Sequence, residues 1–508
     1  MKKTRWLAAL LAALCLALPA LAEEPVTMTM MGLEEDSSGR SWQESLFFQR
    51  MEAQTGVRFT FDQYSDAAAY QQAKEAAFAG DNLPDVLFKA NLTREEEMAW
   101  AQSGQLIDLA PLLAEYAPNL SAILAQRPDW LAIIAQPDGV IASLPSLSGA
   151  ERQCALWINQ SWLAALELPM PTTIEAYTET LRAFRDGDPN GNGAADEIPL
   201  SLVGPFEAKF LLHAWGLTPN DYNIYVDEAG AVRFAPLEAG YRDFVAWLKM
   251  ALDEQLIDEN AFRMMQSARN AAFDTQTDAD APKTIGGMIS IAPYTVVDMA
   301  DSTLYQVVAP LAFEGKQVYR RLLTGVGTGA FAITSACEDP GAALRWVDTL
   351  YTEAGGRLAF AGLEGEDYTL NPDGSWVWTS DEDYTRLSDI SIYSIIAGDA
   401  KTPGLEPAAF LRNTQIQDDN HSRRQTDTLR EYLVQPFPVT WPTDAARAAR
   451  IAELQAALGT CVDTAIANFA MGLVELNDEN WAAFEAELRA LGVEEFVGLW
   501  QQSYNENQ

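Results

Sequence analysis

The sequence predicts an α/β protein of two units, each a mainly parallel sheet flanked by helices. Three observations carry this. From Val26 to Phe88 short apolar strands and amphipathic helices alternate as βαβαβ. The same alternation returns after Ala155. Neither a low-complexity run nor a long linker separates the two stretches, so they read as partners rather than tethered modules. The 508 residues, 48% of them hydrophobic, supply ample core for about two large domains.

The elements follow in order. Val26 to Met31 is a strand closed by Gly32. Trp42 to Thr55 is a helix with Leu46, Phe47, Met51 and Ala53 on one side and Gly56 as its stop. Val57 to Phe61 is a strand, Tyr70 to Phe78 a helix, and Asp85 to Phe88 a short buried strand. In the second stretch Ala155 to Ile158 is a strand. Thr172 to Arg185, started by Pro171 and a Thr cap, and Tyr241 to Gln255 are helices. Strands are expected at Ile285 to Ile291, Tyr305 to Pro310 and Gly329 to Thr334, and helices at Pro340 to Tyr351, Ala445 to Leu458 and Glu479 to Leu491.

Charge narrows the partners. Thirty-four basic against 72 acidic residues give −38, which repels nucleic acid and anionic membrane surfaces alike. Two histidines leave little room for His-based metal or proton chemistry.

The N-terminus carries Lys2, Lys3 and Arg5, then an apolar run from Leu7 to Leu18, then Ala20-Leu21-Ala22 before Glu23. This is the pattern of a cleaved secretory signal over 1–22, and it places the protein outside the cytoplasm, periplasmic or secreted. Leu14 rather than a small residue precedes Cys15, which argues against a lipid anchor. The remaining Cys154, Cys337 and Cys461 form no CxxC and no metal spacing, and read as three buried, inert thiols, with one disulfide plus a free thiol as the alternative.

Residues 188–197, DPNGNGAADE, place Asp188, Asn190 and Asn192 at alternate positions, with Gly193 at a sharp turn. The Ala194 carbonyl, Asp196 and Glu197 complete an oxygen-only set suited to calcium in a structural role. The loop departs from an EF-hand in putting its last acid at Glu197 instead of the twelfth position. A polar Asx/Gly turn without an ion is the alternative.

Five stretches resemble the extracytoplasmic solute-binding proteins of carbohydrate ABC importers, family 1, of the LipO and oligosaccharide-binding type. They are LPDVLFKAN at 83–91, GQLIDLAPLLAEYAPN at 104–119, PDGVIASLP at 137–145, LWINQSWLAALELPMPTTIEAYTETLRAF at 156–184 and GAFAITSACEDPGAALRWVDTLYTEAG at 329–355. Their order and spacing make the match specific. The resemblance implies a two-lobed, type II periplasmic-binding-protein-like clamp with three crossovers, expected near 146–152, 281–286 and 324–329. The N-terminal lobe is then 23–150 plus 286–325, and the C-terminal lobe 151–285 plus 326–508. It implies capture of a carbohydrate, an oligosaccharide in the first instance, by hinge closure and delivery to the permease subunits of an ABC importer. It implies a monomer that meets the membrane only through that transporter. It also supports calcium in the 188–197 loop, since oligosaccharide-binding relatives carry a similar one.

In the resembled fold the cleft is lined by loops after the first strands and by the crossovers. That points to Glu35, Asp36, Arg40 and Trp42, to Asn91, to Glu151 and Arg152, and to Tyr294 as a stacking aromatic. Plainer readings stay open: a solvated loop with Trp42 anchoring a helix start, Asn91 near a helix cap, and a surface Glu151–Arg152 pair. Trp215, Trp376, Trp378 and Trp441 are weaker candidates. Catalysis finds no support. There is no GxSxG, TGVGTG at 324–329 lacks the lysine of a phosphate loop and reads as a hinge turn, His213 lies in an apolar helix and His421 in a polar surface stretch. A receptor for peptides or another non-sugar solute, and a secreted carbohydrate-active enzyme, are the competing functions.

Overall fold

The computed structural model describes residues 26–34, 41–80, 82–148, 153–266, 268–269, 283–321, 325–372, 374–379, 401–406, 421–438 and 444–507. The expected signal at 1–22, Cys15, and the candidates Glu35, Asp36, Arg40, Glu151, Arg152 and Trp441 lie outside them.

Strand β1 (Val26–Leu33) pairs in parallel with β2 (Val57–Tyr64) and β3 (Val86–Phe88). The strand Val326–Ile333 runs antiparallel to β3 and to β4 (Leu144–Ser148), and Gly404–Glu406 closes the edge parallel to β4. This makes a six-stranded mixed sheet. A second sheet has β5 (Ala155–Asn159) between Gly287–Ser290 and Tyr305–Val307, both antiparallel to it. These three strands are antiparallel, while Ile198, Leu200 and Ser201 bridge in parallel to Ile285, Ile257 and Met288, so the second lobe is mixed.

Each sheet has its own core. One joins residues from Met28 to Leu147 with Phe331 to Ala359. The other joins Cys154 to Tyr319 with Leu429 to Phe496. Two separate cores define two lobes. Strand membership corrects the expected division. Residues 286–325 do not join the N-terminal lobe: Gly287–Ser290 pairs with β5, and Tyr319–Arg320 with Leu433–Val434. The segment from Val326 to Glu406 enters the first sheet rather than the second. No crossover occurs at 283–286 either, where Thr284 and Gly286 bond to Ile198 and Asn159 within the second lobe. The chain instead passes between lobes after Ser148, after Arg321, and between Glu406 and the helix His421–Leu429. The reason is physical. Gly287–Ser290 is buried throughout and Val326–Ile333 over its last five residues, so their local patterns name no partner sheet.

Local chemistry places the elements. Thr93 and Glu96 form a reciprocal capping box for the helix Arg94–Gln102, and Thr173 caps Ile174–Asp186. Gly56, at φ +69°, ends Leu46–Thr55 in the left-handed conformation, and that helix buries Phe47, Phe48 and Met51. The helix expected over Ala445 to Leu458 runs on to Ala470.

Trp346 is the hub of the first core. It packs edge-on against Phe59 at 5.0 Å and Phe88 at 5.7 Å, and stacks with Phe48 and Phe331. Trp346→Ala removes an indole that joins a helix to three strands, and should cost about 3–5 kcal/mol. A urea titration following loss of tertiary circular dichroism checks this.

Candidate functional site

The strand registers bring one edge of each sheet to the crossings. Val326 pairs with Leu147 where the chain has just entered the first lobe. Running antiparallel to that strand, β3 and its extension return toward the crossing: Ala90 N–H bonds Ala330 O, and Leu92 N–H bonds Gly329 O, both at 3.0 Å. β1 is parallel to β3, so Glu34 lies on the same edge. In the second lobe β5 begins just after a crossing, and Ser290 pairs with Ala155, so Ile291 to Tyr294 continue past the same edge. Carboxyl-terminal strand edges at such a junction are where open α/β folds bind ligands.

On the first-lobe wall, Lys89 (φ +49°) and Asn91 (φ +46°) hold left-handed backbone conformations. Two buried lysines fix the turn. Lys89 Nζ donates to Glu34 Oε1 at 2.8 Å, and Lys74 Nζ meets Glu96 Oε2 at 3.0 Å and the Asn91 carbonyl at 3.4 Å. Asn91 itself is exposed. It is not the cap of the next helix, a role Thr93 fills. Trp42 is corrected here. It is 2% exposed, packs against Phe48, Phe61 and Phe88, and its Nε1 donates to Glu34 Oε2 at 3.0 Å. It anchors the base of the 35–40 segment and offers no stacking face.

Behind this wall the crossing strand meets a buried carboxylate. Gly329 N–H donates to Ser143 Oγ at 3.1 Å, and Ser143 donates to Glu97 Oε1. Glu97 Oε2 is buried with no hydrogen-bond partner among the described residues. Burial pushes the Glu97 carboxyl above its ordinary 4.5, while Ser143, Arg94 and Lys401 pull it back. Lys401 Nζ donates to Thr328 O at 3.1 Å. The TGVGTG stretch is thus largely strand rather than a free turn.

On the second-lobe wall Tyr294 is 41% exposed, in a short turn over Pro293–Thr295. Gln425 braces the edge, accepting from Gln153 N–H at 2.7 Å and donating to Ile291 O at 2.5 Å. Two residues that sequence reading passed over stand on this edge as well: Phe206, 45% exposed, and Arg320, 4% exposed. Nothing in the stretch GPFEAKF distinguishes Phe206 from a core phenylalanine; only its exposure does. The weaker tryptophans resolve otherwise. Trp376 is buried, and Trp215 is half-buried against Phe244 and Trp247.

His213 is a core residue. Its Nδ1 pairs with Phe210 O at 2.8 Å, its Nε2 accepts from Leu311 N–H at 3.0 Å, and burial lowers its pKa to about 4. The three described cysteines are free thiols, Cys154 buried and the other two partly so. Burial pushes all three up, Cys337 and Cys461 to about 11, which keeps them protonated and unreactive.

The acidic loop is a compact turn. Asp188 (φ +46°) accepts from Gly193 N–H at 3.1 Å. The side-chain amides of Asn190 and Asn192 donate to Asp196, and Asn192 Oδ1 accepts from Ala194 N–H at 2.6 Å. Glu197 Oε1 is buried with no hydrogen-bond partner among the described residues. Burial, then Asp196 and Asp188, raise its pKa. Among those residues no three His, Cys, Asp or Glu side chains already stand as ligands to one ion.

Two lobes, each with its own sheet, with the chain passing from one to the other, are the architecture of a clamp-type solute-binding protein. The chain belongs to the bacterial extracellular solute-binding protein family, whose model matches residues 35–357. It is 26% identical, over 96% of this chain and 91% of the relative, to the fructooligosaccharide ABC transporter substrate-binding protein FusA of Streptococcus pneumoniae. It is 28% identical to lipoprotein LipO of Bacillus subtilis over 33% of this chain and 32% of that one. Among solved structures it matches an HMO-binding, ABC-transporter-associated solute-binding protein of Bifidobacterium longum infantis, with TM-score 0.78 at 20% identity over 95% of this chain and 99% of that one. It also matches an EF-hand mutant of the pneumococcal protein with fructo-nystose, with TM-score 0.67 at 24% identity over 94% and 99%. No helix among the described residues is long and apolar enough to cross a membrane.

Glu97 gives a pH signature. Its raised folded-state pKa contributes stability that is fully present below about pH 4.5 and is lost as pH rises through the folded value. The melting temperature of the wild type relative to Glu97→Gln should therefore fall as pH rises above 4.5 and level off once Glu97 is ionised in the folded state. A gap that stays constant over that range would mean Glu97 is ionised throughout.

Proposed function

We propose that this extracellular protein captures an oligosaccharide between its lobes and presents it to the membrane subunits of an ABC importer. The observation that carries this is the pairing of edges. A rigid turn carrying exposed Asn91 and a turn carrying exposed Tyr294 both border the crossings, one in each lobe. An amide side chain that bonds hydroxyls and an aromatic face that packs on ring C–H groups are the two chemistries a sugar needs. Closure about the crossings would bring both onto one ligand, and the importer would read the closed state. Glu35, Asp36, Arg40, Glu151 and Arg152 remain proposed ligand contacts from their places beside the described edges. The full-length similarity to a fructooligosaccharide-binding relative supports a sugar over a peptide.

Calcium fits the 188–197 loop. Asp188, Asn190, Asn192, the Ala194 carbonyl, Asp196 and Glu197 offer only oxygen. The buried Glu197 Oε1, with its pKa raised by burial and by Asp196 and Asp188, supports a cation held by this set. When bound, calcium supplies the charge that lets these carboxylates converge. Their role is structural, fixing the loop after the helix Ile174–Asp186.

Thermal-shift measurements with glycans and peptides, each with calcium and with chelator, test both parts. A ligand of the folded state at a hundredfold its Kd adds about 2.7 kcal/mol, so one glycan class should raise the melting temperature. Peptide-only shifts would replace the sugar reading with a non-sugar solute. Chelation should lower the melting temperature, and Asp188→Asn should abolish that response. Tyr294→Ala should weaken glycan binding about tenfold by calorimetry without lowering the melting temperature.

A further inference from the structure

Phe206 is an exposed aromatic on a fixed mount. Ser201 bridges in parallel to Met288, with Ser201 N–H to Gly287 O at 2.8 Å and Ile289 N–H to Ser201 O at 3.1 Å. The chain after Ser201 therefore leaves toward the same edge as Ile291 to Tyr294. There it forms the short helix Gly204–Ala208. Glu207, the residue after Phe206, is buried. It accepts from Val203 N–H at 2.7 Å and from Arg269 Nη1 at 2.7 Å, which locks this turn. Phe206 is thus held at 45% exposure by neighbours that are themselves anchored.

The group behind it is Arg320. Its guanidinium stacks on Phe210 at 3.7 Å and lies 6.0 Å from the Phe206 ring. Phe206 and Phe210 meet edge-to-face at 5.5 Å. Arg320 Nη1 is taken by Asp221 at 2.9 Å and Pro219 O at 3.2 Å. Its Nε and Nη2 are buried and have no hydrogen-bond partner among the described residues. Buried donors left without a partner are costly, and a ligand's hydroxyls would satisfy them. The place is close to two crossings. Arg320 ends the last described strand before the chain re-enters the first lobe, and its neighbour Tyr319 donates to the carbonyl of Cys154 at 2.6 Å, just after another crossing.

Local charge selects the ligand. Glu207, Arg320, Arg269 and Asp221 all act on the Cys154 thiol, so they share one neighbourhood, with two positive and two negative charges. Arg269 is neutralised by Glu207 and Arg320 by Asp221. A uronate would find no uncompensated cation among these four, within a chain of net charge −38.

We propose that Phe206 is a second stacking platform of the ligand site, taking the apolar face of a neutral sugar ring, with the free donors of Arg320 directed to that ring's hydroxyls. The assignment rests on the oligosaccharide reading and narrows it from carbohydrate to neutral oligosaccharide. Calorimetry on the full chain tests it, with nystose and lacto-N-tetraose as neutral probes and trigalacturonate as the anionic one. The wild type should bind a neutral probe and not trigalacturonate. Phe206→Ala should weaken that binding about tenfold with an unchanged melting temperature, since the ring is half exposed. Phe206→Trp should keep the affinity and report binding by a change in indole emission. Arg320→Lys, which keeps the charge and loses the fork, should weaken binding as well. Full affinity in Phe206→Ala overturns the platform and leaves the carbohydrate reading standing. Preference for trigalacturonate overturns the neutral class. A wild type that binds no glycan removes the carbohydrate reading, and this inference with it.

Discussion

The approach of Leu92 to Gly329 holds the candidate site together. A Cβ on Gly329 would lie 2.3 Å from the Leu92 carbonyl oxygen, and its φ of +73° favours glycine. Two backbone bonds, at Ala90 and Leu92, stitch the end of β3 to the strand that has just crossed from the other lobe. The turn that exposes Asn91 therefore shares a backbone ladder with the crossing itself.

Buried charge fixes the rest of both edges. Glu34–Lys89, Lys74–Glu96 and Glu207–Arg269 are all close-paired, with distances from 2.7 to 3.0 Å, and each has at least one partner almost wholly out of water. Such pairs add little net stability, but losing one member costs about 3–5 kcal/mol, so each pins one arrangement of its loop. In a chain with only 34 basic residues, committing these cations to the crossing edges spends scarce positive charge on geometry. The result is a pair of rigid walls, with Asn91 on one and Tyr294 and Phe206 on the other.

Much of the local structure was legible. The βαβαβ start, the Thr caps and the Gly56 stop are short-range chemistry and appear within about four residues of where the sequence puts them. Tyr294 could be singled out because it follows GMISIAP, where the resembled family often places a stacking aromatic; the structure leaves it 41% exposed. Trp42 could not be separated from a ligand contact, because a Trp after a polar loop reads the same whether it faces a sugar or, as here, Glu34 and Phe88. Phe206 was invisible for the opposite reason: a Phe in a mixed stretch such as GPFEAKF looks like core until its neighbours are known.

The sequence alone determined the alternation of elements, the oxygen-rich 188–197 loop, the acid balance that excludes nucleic acid and the family resemblance. These depend on residues close in the chain or on sums over it. Tertiary structure decided which sheet received Gly287–Ser290 and which received Val326–Ile333, and hence where the chain crosses between lobes. Strand pairing is chosen by partners more than a hundred residues away, and the closely packed apolar stretches of both strands suit either core.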